Sequence, residues 1–103
     1  MDIEFIKSLC KDETIEVTNH FAQRRIKRNI TYEETKEAIL NGEIIEHYPD
    51  DFPFESCLIL GTTLKDKYLH IVVGIGENKL WIVTAYEPDI REWDSTLKVR
   101  KEH

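Results

Sequence analysis

The chain has 103 residues, 41% of them hydrophobic and 33% charged, with a formal net charge of −6. That length is enough for a single domain, 1–103, with a real core, and the few Gly and Pro exclude disordered or collagen-like character. No apolar run approaches the roughly 20 residues that span a bilayer, and the start Met1-Asp2-Ile3-Glu4-Phe5 lacks a basic lead into an apolar stretch, so a cytoplasmic protein without a membrane partner is expected.

Residues 2–11 place Ile3, Ile6 and Cys10 on one side, the pattern of a short amphipathic helix. Thr14-Ile15-Glu16-Val17 alternates, which suits a brief strand or an extended lead-in. Thr18 or Asn19 caps a second helix over about residues 19–29. Its apolar face reads as Ala22, Ile26 and Ile30, and its basic face as His20, Arg24, Lys27 and Arg28. Thr31-Tyr32-Glu33-Glu34 is a capping box that opens a third helix through Leu40, and Asn41-Gly42 is expected to supply a left-handed stop.

Beyond Gly42 the apolar period becomes two. Strands are expected at 43–48, 56–64, 68–76 and 80–86, separated by the turn-rich loop Pro49-Asp50-Asp51-Phe52-Pro53 and by short links that imply an antiparallel meander. Pro88 ends the last strand, and a turn followed by irregular chain is expected from Asp89. Two to three helices followed by four strands is an α+β chain. Cys10 and Cys57 are isolated, and are expected as reduced, buried thiols; without a CxxC pair no zinc-thiolate site is expected.

The stretch from His20 to Arg28 carries four fixed positive charges and no acid. On a helix, His20, Arg24 and Arg28 recur every four residues along one face. A titratable imidazole beside guanidinium groups suits a phosphate. Residues 18–30 hold four of the 14 basic side chains and none of the 20 acidic ones, so ten bases face twenty acids elsewhere. Such segregation steers a polyanion to one spot, while the acidic body opposes general nucleic-acid binding.

Register decides which strand residues join this stripe. An odd loop around Glu77-Asn78-Lys79 would pair Gly76 with Leu80, setting His70 across from Tyr86 and Val72 across from Thr84; an even loop would put His70 and Tyr86 on opposite faces. Gly74 and Gly76 on the His70 face leave room for an approaching group. Metal-free RNA cleavage needs a base for the 2′-hydroxyl, cations for the phosphorane and an acid for the leaving 5′-oxygen. His20 and His70 are candidates for proton transfer, Arg24 and Arg28 for the phosphate clamp, and Tyr86 for positioning or acid. The competing readings are a solvated basic helix face, a structural His70 bonded to a neighbouring carbonyl, and Tyr86 and Trp93 as packing residues. A His20–His70 metal site with Glu87 lacks supporting spacing, so no metal or cofactor is expected. His47 and His103 look incidental.

The order of motifs resembles a known family. It runs from His20-x-x-x-Arg24-x-x-x-Arg28-x-Ile30-Thr31 through Glu33-Glu34 and Asn41-Gly42-Glu43-Ile44-Ile45. It continues with Tyr48-Pro49-Asp50-Asp51, Ser56-Cys57-Leu58-Ile59-Leu60-Gly61 and Leu69-His70-Ile71-Val72-Val73, and closes with Thr84-Ala85-Tyr86-Glu87-Pro88-Asp89 and Trp93. Over about residues 17–94 the chain is similar to the domain of unknown function 4258, itself similar to RelE-like toxins of the barnase–colicin–RelE ribonucleases. The resemblance implies helices on one face of a four-stranded, mainly antiparallel curved sheet, with the active surface on the other. It implies a metal-independent endoribonuclease acting on RNA, and a cognate antitoxin partner, in some members of zinc-finger type. The family's recurring polar residues fall on His20, Arg24, His70, Thr84 and Tyr86, the expected catalytic set. Arg28, Lys27 and Trp93 are the expected substrate-binding residues. The alternative is a non-catalytic module of the same fold that binds protein or RNA. Asn29 stands where a glycine is common, and asparagine tolerates the left-handed conformation that turn needs.

Overall fold

Each helix begins where the sequence offers an oxygen to its first free amides. Asp2 accepts from the Glu4 amide at the start of α1 (Ile3–Ser8). Thr18 accepts from Phe21 at the start of α2 (Asn19–Lys27), and Thr31 and Glu34 cap each other's amides at the start of α3 (Tyr32–Leu40). The computed structural model describes residues 1–102, and His103 lies outside the described residues. Among them no helix is long and apolar enough to cross a membrane.

Two helix ends differ in kind. Asn29 takes φ 57°, and the amides of Asn29 and Ile30 return to the carbonyls of Ile26 and Arg25, a Schellman stop that ends α2. The expected left-handed stop at Asn41-Gly42 is not formed: Asn41 lies at φ −101° and no glycine has positive φ. Gly42 is needed for closeness, since a Cβ there would lie 2.5 Å from Ile59 Cγ2 and 2.7 Å from the Ala38 carbonyl oxygen.

The sheet has five strands, one more than expected, in the order β1-β5-β4-β3-β2. β2 (Glu43–Tyr48), β3 (Ser56–Thr62), β4 (Tyr68–Gly76) and β5 (Lys79–Tyr86) pair antiparallel. The extra strand is β1 (Ile15–Val17), which lies parallel to β5 with Ile15 opposite Leu80 and Val17 opposite Ile82. Three residues are too few for alternation to declare a strand. The edge of β5 completes it: the Leu80 amide reaches the Thr14 carbonyl at 2.9 Å and the Thr18 amide reaches Ile82 at 3.1 Å.

One sheet face carries Cys57, Ile59, Leu69, Ile71, Val73, Leu80, Ile82 and Ala85, and clusters with Ile6, Phe21, Ile30, Ala38 and Ile39 from the helical segments. Here α2 departs from the expected orientation. Phe21 is its buried residue, at 1% exposure, while Ile26 is 68% exposed. One residue along a helix is a rotation of about 100°, and the larger apolar surface of Phe21 outweighs Ala22 in the core. Ile30 is buried too, but from beyond the Schellman turn, so it does not extend a helix face. The rotation carries Arg28 over the sheet edge.

Candidate functional site

The strands present a second face opposite the core. The β4–β5 turn is Glu77-Asn78, with φ 58° at both residues, a two-residue hairpin turn of the mirror type. It pairs Gly76 with Lys79. An even turn alone would separate His70 from Tyr86, so the odd-loop condition is not how they meet. A bulge does it: Val73 pairs with Ile82 and Val72 with Thr84, leaving Val83 as an extra residue. Beyond it His70 stands opposite Tyr86, and Thr84 shares their face.

His70 is 0% exposed. Its Nε2 lies 2.8 Å from the Leu97 carbonyl oxygen and its Nδ1 3.3 Å from the Tyr86 hydroxyl. A carbonyl only accepts, so Nε2 carries the proton and Nδ1 accepts from the phenol. Burial holds the imidazole below its ordinary pKa, against the opposing pull of the Leu97 bond and Glu46. The Trp93 ring meets His70 edge-on at 4.4 Å. With both nitrogens bonded inside the protein, His70 offers none to a metal or to a substrate in this arrangement.

The chain after Pro88 makes this enclosure. It runs from the end of β5 across to β2, closed on itself by a Trp93–Arg100 bridge. Lys98 pairs with Glu43 at 2.6 Å, and Arg100 Nε and Nη2 donate to Glu46 at 2.9 and 3.1 Å. The Arg100 guanidinium also lies 4.7 Å over the Trp93 ring. Trp93 is 3% exposed, so the expected substrate-stacking role is replaced by packing: its ring is spent on His70 and Arg100.

The basic stripe divides. Arg28 Nη1 donates to Thr84 Oγ1 at 3.1 Å and to the Ala85 carbonyl at 2.9 Å. His20, Arg24 and Lys27 are exposed, and their side chains have no bonded partner among the described residues. At four-residue spacing His20 and Arg24 continue the ridge that ends at Arg28. The structure brings together Arg28, Thr84, Tyr86 and His70, and leaves His20, Arg24 and Lys27 outside that cluster.

Glu46, Tyr48 and Arg100 went unread in the sequence. Glu46 reaches this face because Ile45 bulges: Ile44 pairs with Ile59 and Glu46 with Leu58. Burial alone would raise its pKa, but bonds from Arg100 and Tyr48 and the field of His70 outweigh that and hold it below the ordinary carboxylate value. Tyr48 donates to Glu46, and burial together with that bond pushes its phenol up to about 12. Strict alternation along 43–48 would have aimed Glu46 at the core, and Arg100 sits in a tail with no periodic signal.

Tyr86 is half-buried. Burial raises its pKa; Arg100 and Arg28 pull it down and Glu46 pushes it up. Two guanidinium groups, a carboxylate and an imidazole thus act on one phenol. The room expected beside Gly74 and Gly76 is partly filled by the chain itself. A Cβ on Gly76 would fall 2.2 Å from the Phe54 ring.

The model of the family described as a domain of unknown function (4258) matches residues 17–87. No curated protein and no solved structure matches the chain.

Proposed function

The chain belongs to the domain of unknown function 4258 family, and from that premise we propose that it is a metal-independent endoribonuclease of the RelE-like toxin type, centred on Tyr86 rather than on His70. The observation that carries this reading is a half-buried Tyr86 hydroxyl bonded to His70 and lying in the field of Arg28, Arg100 and Glu46, with Arg28 held on the neighbouring Thr84 and Ala85. The 2′-oxygen of RNA attacks the adjacent phosphorus and the bond to the 5′-oxygen breaks. Glu46, kept ionised by Arg100 and Tyr48, takes the 2′-proton. Tyr86, kept protonated by burial, turns its O–H away from His70 Nδ1 and gives the proton to the leaving oxygen. One proton then passes through water from Glu46 to Tyr86 and resets the site. Arg28 and Arg100 stabilise the phosphorane charge, and Arg24 and His20 hold phosphates further along the strand. A cognate antitoxin that caps this face would complete the system.

The test is incubation of the full chain with RNA in EDTA. Products should carry a 2′,3′-cyclic phosphate and a free 5′-hydroxyl. Tyr86→Phe and Glu46→Gln should each lower cleavage by about 10²–10⁴-fold, the range of general acid–base contributions. Full activity in both variants would sink the assignment.

A second reading rests on a specific observation. Both nitrogens of His70 are bonded within the protein, and one of them meets a carbonyl. That is the geometry of a structural histidine in a non-catalytic module that docks a protein or RNA. Saturable binding with no cleavage by the unaltered chain would decide for it.

A further inference from the structure

Next to the Tyr86 cluster, on the same sheet face, lies a pocket of about 280 Å³. Its wall is Phe54, Trp81, Val83 and Gly74, and the loop residues Asp51 and Phe52 form its mouth. Val83 adjoins Thr84 in sequence, and Gly74 is two residues from Val72, a step of roughly 7 Å along a strand. The volume falls just short of the roughly 300–1,000 Å³ of drug-sized ligand sites. It suits a single flat ring system.

The wall is fixed. Phe54 fills the space over Gly76 and meets Trp81 at 5.7 Å between ring centroids. The Trp81 indole N–H donates to the Gly76 carbonyl at 3.1 Å. The mouth is free: Phe52 is 95% exposed, an aromatic ring at a pocket edge with nothing packed on it. Asp51, also exposed, accepts from the Ser56 hydroxyl, which orients its carboxylate beside the cavity.

We propose that this pocket binds one nucleobase of a single-stranded RNA, stacked on the Trp81–Phe54 wall under Phe52, with its N–H donor edge on Asp51. Aromatic faces bind any base. Asp51 adds the selection, because an ionised carboxylate only accepts. Guanine presents two adjacent donors, N1–H and its amino group, to the two carboxylate oxygens. Uracil presents one. The pocket therefore prefers guanine and sets which nucleotide lies beside the cleaved phosphate. This inference rests on the ribonuclease reading for its biological meaning, and is measurable without it.

The probes are guanosine, inosine and uridine 5′-monophosphates, titrated into the full chain while the Trp81 indole N–H resonance is followed by NMR. Guanosine monophosphate should shift it at least tenfold more tightly than uridine monophosphate. Inosine, lacking the amino group, should fall between. Asp51→Asn should erase the guanine preference, and Phe52→Ala should weaken all three roughly 5- to 150-fold, the range for one stacked base. Both altered residues are exposed, so the fold should tolerate the changes. No shift with any nucleotide, or equal affinities unaffected by Asp51→Asn, would overturn the pocket assignment. Guanine-selective binding in a chain that never cleaves RNA would leave the pocket standing and remove the enzyme. Cleavage without nucleotide-induced shifts would do the reverse.

Discussion

His70 and Tyr86 face each other across β4 and β5 because β5 holds one residue too many. Without Val83 the two-residue Glu77-Asn78 turn would set every residue beyond Ile82 one place out of step, and Tyr86 would point into the helical core. The bulge thus converts an ordinary tight hairpin into one whose far half presents Thr84 and Tyr86 to the open face, beside Arg28.

The His70–Tyr86 bond separates stability from chemistry. Tyr86→Phe keeps the ring but leaves a buried imidazole nitrogen without its donor, at a cost of about 1–3 kcal/mol. The urea midpoint should fall accordingly. Cleavage, measured well below that midpoint, should fall by far more than this loss explains. Proportionate losses would mean that Tyr86 is only a packing residue.

Protonation of His70 links the fold to pH. Its folded pKa lies below the ordinary 6.5, chiefly through burial. Above 6.5 the ring is neutral in both states and its contribution is complete. As pH falls below 6.5 the unfolded chain takes up a proton that the folded chain resists, so stability declines toward the folded pKa. The drop in denaturant midpoint from pH 7.5 to pH 5 should be clearly smaller in His70→Gln. An equal drop in both would remove His70 as its source. Glu46 acts in a lower window: its depressed pKa contributes stability above about 4.5 that is lost on further acidification.

The rotation of α2 has a simple mutational signature. Phe21→Ala should cost about 3–5 kcal/mol, as for other buried aromatic truncations. Ile26→Ala should stay within about 0.5 kcal/mol, since that side chain is in solvent. Thermal denaturation of the two variants decides it, and the opposite order would restore the Ala22–Ile26–Ile30 face.

Both thiols are buried, and burial pushes each up to about 11. Alkylation of the native chain at pH 8 should be slow at Cys10 and Cys57 and become fast in denaturant. Rapid labelling of Cys57 without denaturant would mean that β3 opens locally.

The helices and the β2–β5 meander were legible because their signals are local. Thr18 and the Thr31–Glu34 box mark helix starts, Asn29 accepts the left-handed turn, and period-two alternation marks β4. The candidate site was legible in part. Arg28, Thr84, Tyr86 and His70 could be named from charge, spacing and resemblance. Glu46 could not, because the Ile45 bulge overrides the alternation that aims it inward. Arg100 and the enclosure of His70 depend on a tail whose sequence has no period.

What the amino-acid order determined by itself is the α+β succession, the Thr18 and Thr31 helix starts, the Asn29 stop, and the concentration of basic charge between His20 and Arg28. These depend on backbone preferences and side-chain chemistry within a few residues of each other. Tertiary structure decided the rest. It chose Phe21 over Ile26 for the core, added β1 at the edge of β5, placed bulges at Ile45 and Val83, and laid Trp93 and Leu97 over His70. Each is a competition between distant groups for the same buried surface or the same unpaired backbone atoms, and no window of neighbouring residues contains both competitors.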